Sequence, residues 1–99
     1  MGTIYIEEYG SIGSDANRDA PLSDLNTQLA LTKDATTSST AESIVLNGGT
    51  RQVTIYAVED HRVCVTSDTT DTKYAIVAAG SYRDFGVTPG STLYYELDA

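Results

Sequence analysis

Tryptophan is absent from this 99-residue chain, and cysteine, histidine, methionine and phenylalanine each occur once. A lone Cys64 forbids an internal disulfide and excludes a disulfide-stapled module. One His and one Cys cannot supply the three or four ligands of a zinc site within one chain. Basic residues are scarce too: six Lys and Arg stand against 14 Asp and Glu, a net charge of −8. Arg18, Arg51, Arg62 and Arg83 are scattered, with no basic run. A phosphate backbone or an anionic lipid surface repels such a chain at long range, so neither nucleic acid nor membrane is an expected partner. No stretch approaches the length of apolar sequence that spans a bilayer. The opening Met1-Gly2-Thr3-Ile4-Tyr5-Ile6-Glu7-Glu8 has no basic segment followed by an apolar one, so no signal peptide is expected. It also fits a myristoylation site poorly, since Ile6 or Glu7 stands where Ser or Thr is required.

Catalytic material is equally thin. The single candidate dyad is His61 with Cys64. Three positions apart on a strand, the two side chains point to opposite faces. The reading is a surface His beside a core Cys, the latter within Val63-Cys64-Val65. Asp68 and Asp71 flank a Thr-Thr loop, and Asp15, Asp19 and Asp24 lie in or near an N-terminal loop. Calcium uses such loop carboxylates, but no EF-hand spacing is present, and solvated turn acids are the expectation. Gly10-Ser11-Ile12-Gly13-Ser14 lacks the Lys and the following helix of a phosphate cradle and reads as a flexible connection. No Gly-x-Ser-x-Gly occurs. No catalytic, cofactor-binding or metal-binding residue is assigned, and the chain is not read as an enzyme.

What the sequence has is threonine, with 14 copies, nine serines and seven tyrosines. Leu, Ile, Val and Phe sum to 21, close to the level of roughly 20% below which disorder is expected, and the tyrosines tip the balance toward a folded domain. Branched and aromatic side chains fit a pleated surface, and most segments alternate with period two. Eight short strands are predicted. They are Thr3–Tyr9, with Ile4 and Ile6 on one face; Thr27–Lys33, after a possible helical turn; Ala41–Asn47; Arg51–Glu59; His61–Ser67; Lys73–Ala78; Ser81–Val87; and Thr92–Asp98. Arg51–Glu59 is apolar on both faces and should be central. Asp34 to Thr40 reads as a polar connection. Asn47-Gly48-Gly49-Thr50 reads as a turn whose residues tolerate positive φ, and Pro89-Gly90 as the centre of a type II turn.

The fold class is therefore all-β: a single-domain β-sandwich, jelly-roll-like, over residues 1–99, with residues 1–21 as an N-terminal strand and flexible arm. Seven tyrosines cannot all be core in so small a domain. Half-exposed tyrosines suit protein contact better than sugar stacking in a chain without Trp.

An ordered set of features carries a resemblance. The Thr3-to-Tyr9 strand is followed by a Gly/Asp-rich arm. A Ser/Thr-rich segment leads into Ile44-Val45-Leu46, then come Thr50-Arg51-Gln52-Val53-Thr54-Ile55 and His61-Arg62-Val63-Cys64-Val65. Ala79-Gly80-Ser81-Tyr82-Arg83-Asp84-Phe85-Gly86-Val87 closes on Thr88-Pro89-Gly90. In this order the chain resembles small structural proteins encoded in the head-gene regions of tailed bacteriophages. The resemblance implies a virion β-sandwich that decorates, or cements, the outer surface of the major capsid protein lattice. It also implies a homo-oligomer, with a trimer favoured, made in the host cytoplasm and carried on the capsid. The N-terminal strand and the Gly10–Pro21 arm are the segments expected to reach a neighbour. Asp68 to Asp71 departs from the group, where small apolar residues and Gly are common. A head–tail connector or tail protein is the nearest alternative, and a carbohydrate-binding module using Tyr94 or Tyr95 is the next. No cofactor is implied.

Overall fold

The computed structural model describes residues 1–10, 28–65 and 74–98. They form eight strands: β1 (Gly2–Tyr9), β2 (Gln28–Thr37), β3 (Glu42–Val45), β4 (Gln52–Ala57), β5 (His61–Cys64), β6 (Ala75–Val77), β7 (Ser81–Gly86) and β8 (Thr92–Leu97). They make two four-stranded antiparallel sheets, in the orders β2-β1-β4-β7 and β3-β8-β5-β6. The chain changes sheet at β2→β3, β3→β4, β4→β5, β6→β7 and β7→β8. This repeated crossing builds the jelly-roll-like sandwich that the strand count suggested.

Alternation sets the inner faces. Ile4 and Ile6 of β1, Val53, Ile55 and Ala57 of β4, Val63, Val77, Leu93 and Tyr95 form one buried cluster with Leu46. Each fully buried large apolar side chain contributes about 1.5–3 kcal/mol relative to exposure. β4 lies between β1 and β7, as its two apolar faces demand.

The strand expected over Thr3–Tyr9 is β1, and Ile4 and Ile6 on its inner face sit in the core. It pairs with β2 on one side and β4 on the other. At its start Gly2 is packed so closely that a Cβ would stand 2.7 Å from both Leu97 Cδ1 and Thr37 Oγ1. Deleting residues 1–21 would remove an inner strand and unfold the sandwich, and so cannot report on an arm. Residues 11–21, the rest of that arm, lie outside the described residues, as do the possible helical turn, Asp15, Asp19, Asp24, Asp68 and Asp71. Two expectations are corrected. First, Asp34 to Thr37 is strand. Pairing with β1 continues to Gly2 opposite Thr37 across a bulge, so the tertiary partner overrides the polar composition.

The expected Asn47–Thr50 turn is present, closed by a 3.0 Å bond from the Thr50 amide to the Asn47 carbonyl, and it forms without positive φ, which among the described residues only Gly80 and Gly90 have. The turn carries the chain from one sheet to the other and so has no need of hairpin twist. Second, His61, expected at the surface, is fully buried. Its Nδ1 donates to the Glu59 carbonyl at 2.7 Å, and its Nε2 meets the Thr37 hydroxyl at 2.7 Å. With both ring nitrogens partnered, the imidazole packs inside at little cost.

Polar contacts close the open sides of the sandwich. On one side the Tyr95 hydroxyl donates to Asp34 Oδ2 at 2.9 Å, linking the two sheets. Burial pushes the Asp34 carboxyl up, but hydrogen bonds from the Thr36 amide and hydroxyl, from Tyr95 and from Glu42 carry it below the usual carboxylate range. Glu42 is raised, by its hydrogen bond with Asp34, by burial and by the Asp34 charge. Glu42 Oε2 is buried and has no hydrogen-bond partner among the described residues. On the other side Arg83 Nη1 donates to the Ile76 carbonyl at 2.8 Å while its guanidinium lies 5.0 Å from the Phe85 ring centre.

Candidate functional site

The outer face of the β2-β1-β4-β7 sheet carries the arrangement that stands out. Because Ile4 and Ile6 point inward, Tyr5 and Glu7 point outward. Register then fixes their neighbours. Lys33 is opposite Tyr5, Tyr5 is opposite Tyr56, and Tyr56 is opposite Tyr82. One row thus crosses the whole sheet. Lys33 Nζ lies 5.5 Å from the Tyr5 ring centre. The Tyr5 and Tyr56 rings are 6.0 Å apart at 49°, and those of Tyr56 and Tyr82 are 4.8 Å apart at 46°. These are the tilted spacings aromatic pairs prefer, and cross-strand pairs of this kind hold register.

The adjacent row is acidic. Leu31 is opposite Glu7, Glu7 opposite Thr54, and Thr54 opposite Asp84. Glu7 accepts the Tyr9 hydroxyl, and Asp84 Oδ1 accepts the Thr54 hydroxyl at 2.6 Å. Tyr5, Glu7, Leu31, Tyr56 and Tyr82 line an open depression of about 430 Å³. Tyr82 is 65% exposed and Leu31 61%. A rigid sheet therefore presents apolar ring faces and an aliphatic side chain to solvent with carboxylates alongside.

On the outer face of the opposite sheet Arg62 is engaged within the chain. Arg62 Nη2 stands 3.5 Å from Glu96 Oε2, and Arg62 Nε is 3.5 Å from Asp98 Oδ1. The same guanidinium covers the Tyr74 ring at 5.3 Å.

The candidate dyad does not assemble. His61 is engaged by Thr37 and Glu59, while Cys64 is buried on the rim of an apolar hollow of about 250 Å³ bordered by Val53, Val63, Phe85, Val87 and Leu93. Among the described residues no group of three or more His, Cys, Asp or Glu side chains is placed to hold a metal ion. Tyr95 is buried and bonded to Asp34, so it offers no ring to a sugar, and Tyr94 is only half-buried. Three other tyrosines form the outward-facing row, Tyr82 exposed and Tyr5 and Tyr56 half-buried. Ile4-Tyr5-Ile6, Ile55-Tyr56-Ala57 and Ser81-Tyr82-Arg83 mark each Tyr as facing away from its neighbours, but only strand register brings the three together. Family models, curated proteins and solved structures contain no match to this chain.

Proposed function

We propose that the protein is a capsid decoration subunit of a tailed bacteriophage. It binds the outside of the major capsid protein lattice as a homo-oligomer, a trimer being favoured, and stabilises the expanded head. The ordered motifs from Thr3 to Gly90 support the phage reading. The observation that carries the binding role is the solvent-facing row Tyr5–Tyr56–Tyr82 on a sheet locked by its own register. Tyrosine loses little conformational freedom when it packs against a partner and is enriched at protein interfaces.

The mechanism is linkage. A subunit that binds only the expanded lattice adds its binding free energy to that state. A symmetric oligomer placed where shell subunits meet bridges several at once, and each further contact is made at high effective concentration. The work is binding, with no bond made or broken.

Imaging intact particles tests this. Density for this chain in hundreds of copies over the head surface is the expected result. A few copies confined to the neck or tail would make it a connector or tail component instead. Heads without the subunit should also expand normally but rupture at lower temperature.

A further inference from the structure

We infer that the aromatic face of the β2-β1-β4-β7 sheet docks a basic segment of its protein partner, with an arginine side chain set against Tyr56 and Tyr82 and forked toward Glu7 and Asp84. For the identity of the partner this rests on the decoration reading; the chemistry rests on the sheet face alone. Three observations support it. The face already takes a cation at one end, where Lys33 lies over Tyr5, while Tyr82 at the other end is 65% exposed. Glu7 and Asp84 flank the rings in the next row, one pleat repeat away along the same strands. The whole chain carries −8, so a basic segment is drawn toward it and an acidic one repelled.

Guanidinium fits this layout better than ammonium. It is planar, stacks on ring faces and bonds carboxylates in a fork. The opposite sheet shows the same chemistry completed within the chain, with Arg62 against Tyr74 and paired to Glu96 and Asp98. On the aromatic face the rings and acids stand in a similar relation, and the arginine comes from outside.

The test uses the full chain, isotope-labelled, titrated with a short blocked peptide of alternating arginine and serine. Amide shifts at Tyr5, Glu7, Tyr56, Tyr82 and Asp84 should saturate, and affinity should fall as salt rises. Tyr82→Ser, which leaves the charge unchanged, should weaken binding about threefold, the scale of one exposed cation–π contact. Asp84→Asn should weaken it by a similar factor, whereas Asp98→Asn, the same charge change on the other sheet, should leave it unaltered. Equal losses from Asp84→Asn and Asp98→Asn, with none from Tyr82→Ser, would mean diffuse attraction and overturn the inference. So would shifts on this face produced by neutral maltohexaose and not by the peptide, which would make it a sugar-stacking surface. Peptide binding by a protein absent from heads would defeat the decoration reading alone, and a decorated head whose subunit ignores the peptide would defeat this inference alone.

Discussion

The two outer faces of the sandwich use the same residue types to opposite ends. On the β3-β8-β5-β6 sheet, Arg62 is spent within the chain, between Glu96, Asp98 and the Tyr74 ring. On the β2-β1-β4-β7 sheet, the tyrosines stack on one another, and Glu7 and Asp84 accept neutral hydroxyls. A face whose charges are paired internally gains little from a partner. A face with outward rings and acids that, among the described residues, accept hydroxyls keeps that capacity. The difference teaches where to look for binding in a protein that is acidic throughout.

Mutations can break this contrast. Arg62→Ala should have the largest effect, because it strands the mostly buried Glu96 carboxylate without its counter-charge. A loss of about 2 kcal/mol in urea unfolding is expected. Tyr56→Ala removes the middle ring of the row and both of its tilted contacts, and should cost about 1–2 kcal/mol. Tyr82→Ser at the sheet edge removes one of those contacts and should cost about 0.5–1 kcal/mol in the same assay, less than Tyr56→Ala, while impairing attachment to heads. If Tyr82→Ser destabilised as much as Tyr56→Ala, the row would be structural and the contrast between the faces would collapse.

A smaller effect belongs to pH, at the polar side between the sheets. Glu42 is raised in the folded state, so its contribution is present in acid and lost as pH rises through that raised value. Asp34 is lowered, so its contribution is present above its ordinary value and lost as pH falls through the lowered one. The pair therefore stabilises most between their ordinary pKa values, 3.8 and 4.5. Glu42→Gln removes the like-charge conflict at neutral pH. Its melting temperature relative to the native chain should be higher at pH 7 than near pH 4, and a difference independent of pH would refute the raised Glu42 carboxyl.

Much of the fold was legible in the residues. The alternation of Ile4 and Ile6 identified an inward face, and the two-sided apolarity of Val53 to Val58 placed β4 inside its sheet. Pro89-Gly90 specified its turn: Gly90 has φ +84° and the Ser91 amide bonds the Thr88 carbonyl at 3.1 Å. What stayed hidden depends on partners distant in sequence. Nothing local in Asp34-Ala35-Thr36-Thr37 announces a strand, since its order comes from pairing with β1. Nothing near His61 shows that Thr37, 24 positions earlier, will satisfy its ring. The aromatic row is the sharpest case. Its three members lie on three strands, and a one-residue slip in either pairing would send rings to the wrong face.

The inner position of β1 has a consequence for synthesis. Of the eight strands this one leaves the ribosome before the rest, yet it needs Ala57 opposite Ile4 before its inner edge is covered. Its sheet is complete only once Gly86 has emerged to pair with Gln52. Folding is thus slow for the number of residues involved, because pairings such as Ile4 with Ala57 and Glu42 with Tyr95 join positions about half the sequence apart. Until then Ile4 and Ile6 travel exposed on an unpaired edge, and crowded nascent chains are at their greatest risk of sticking to one another.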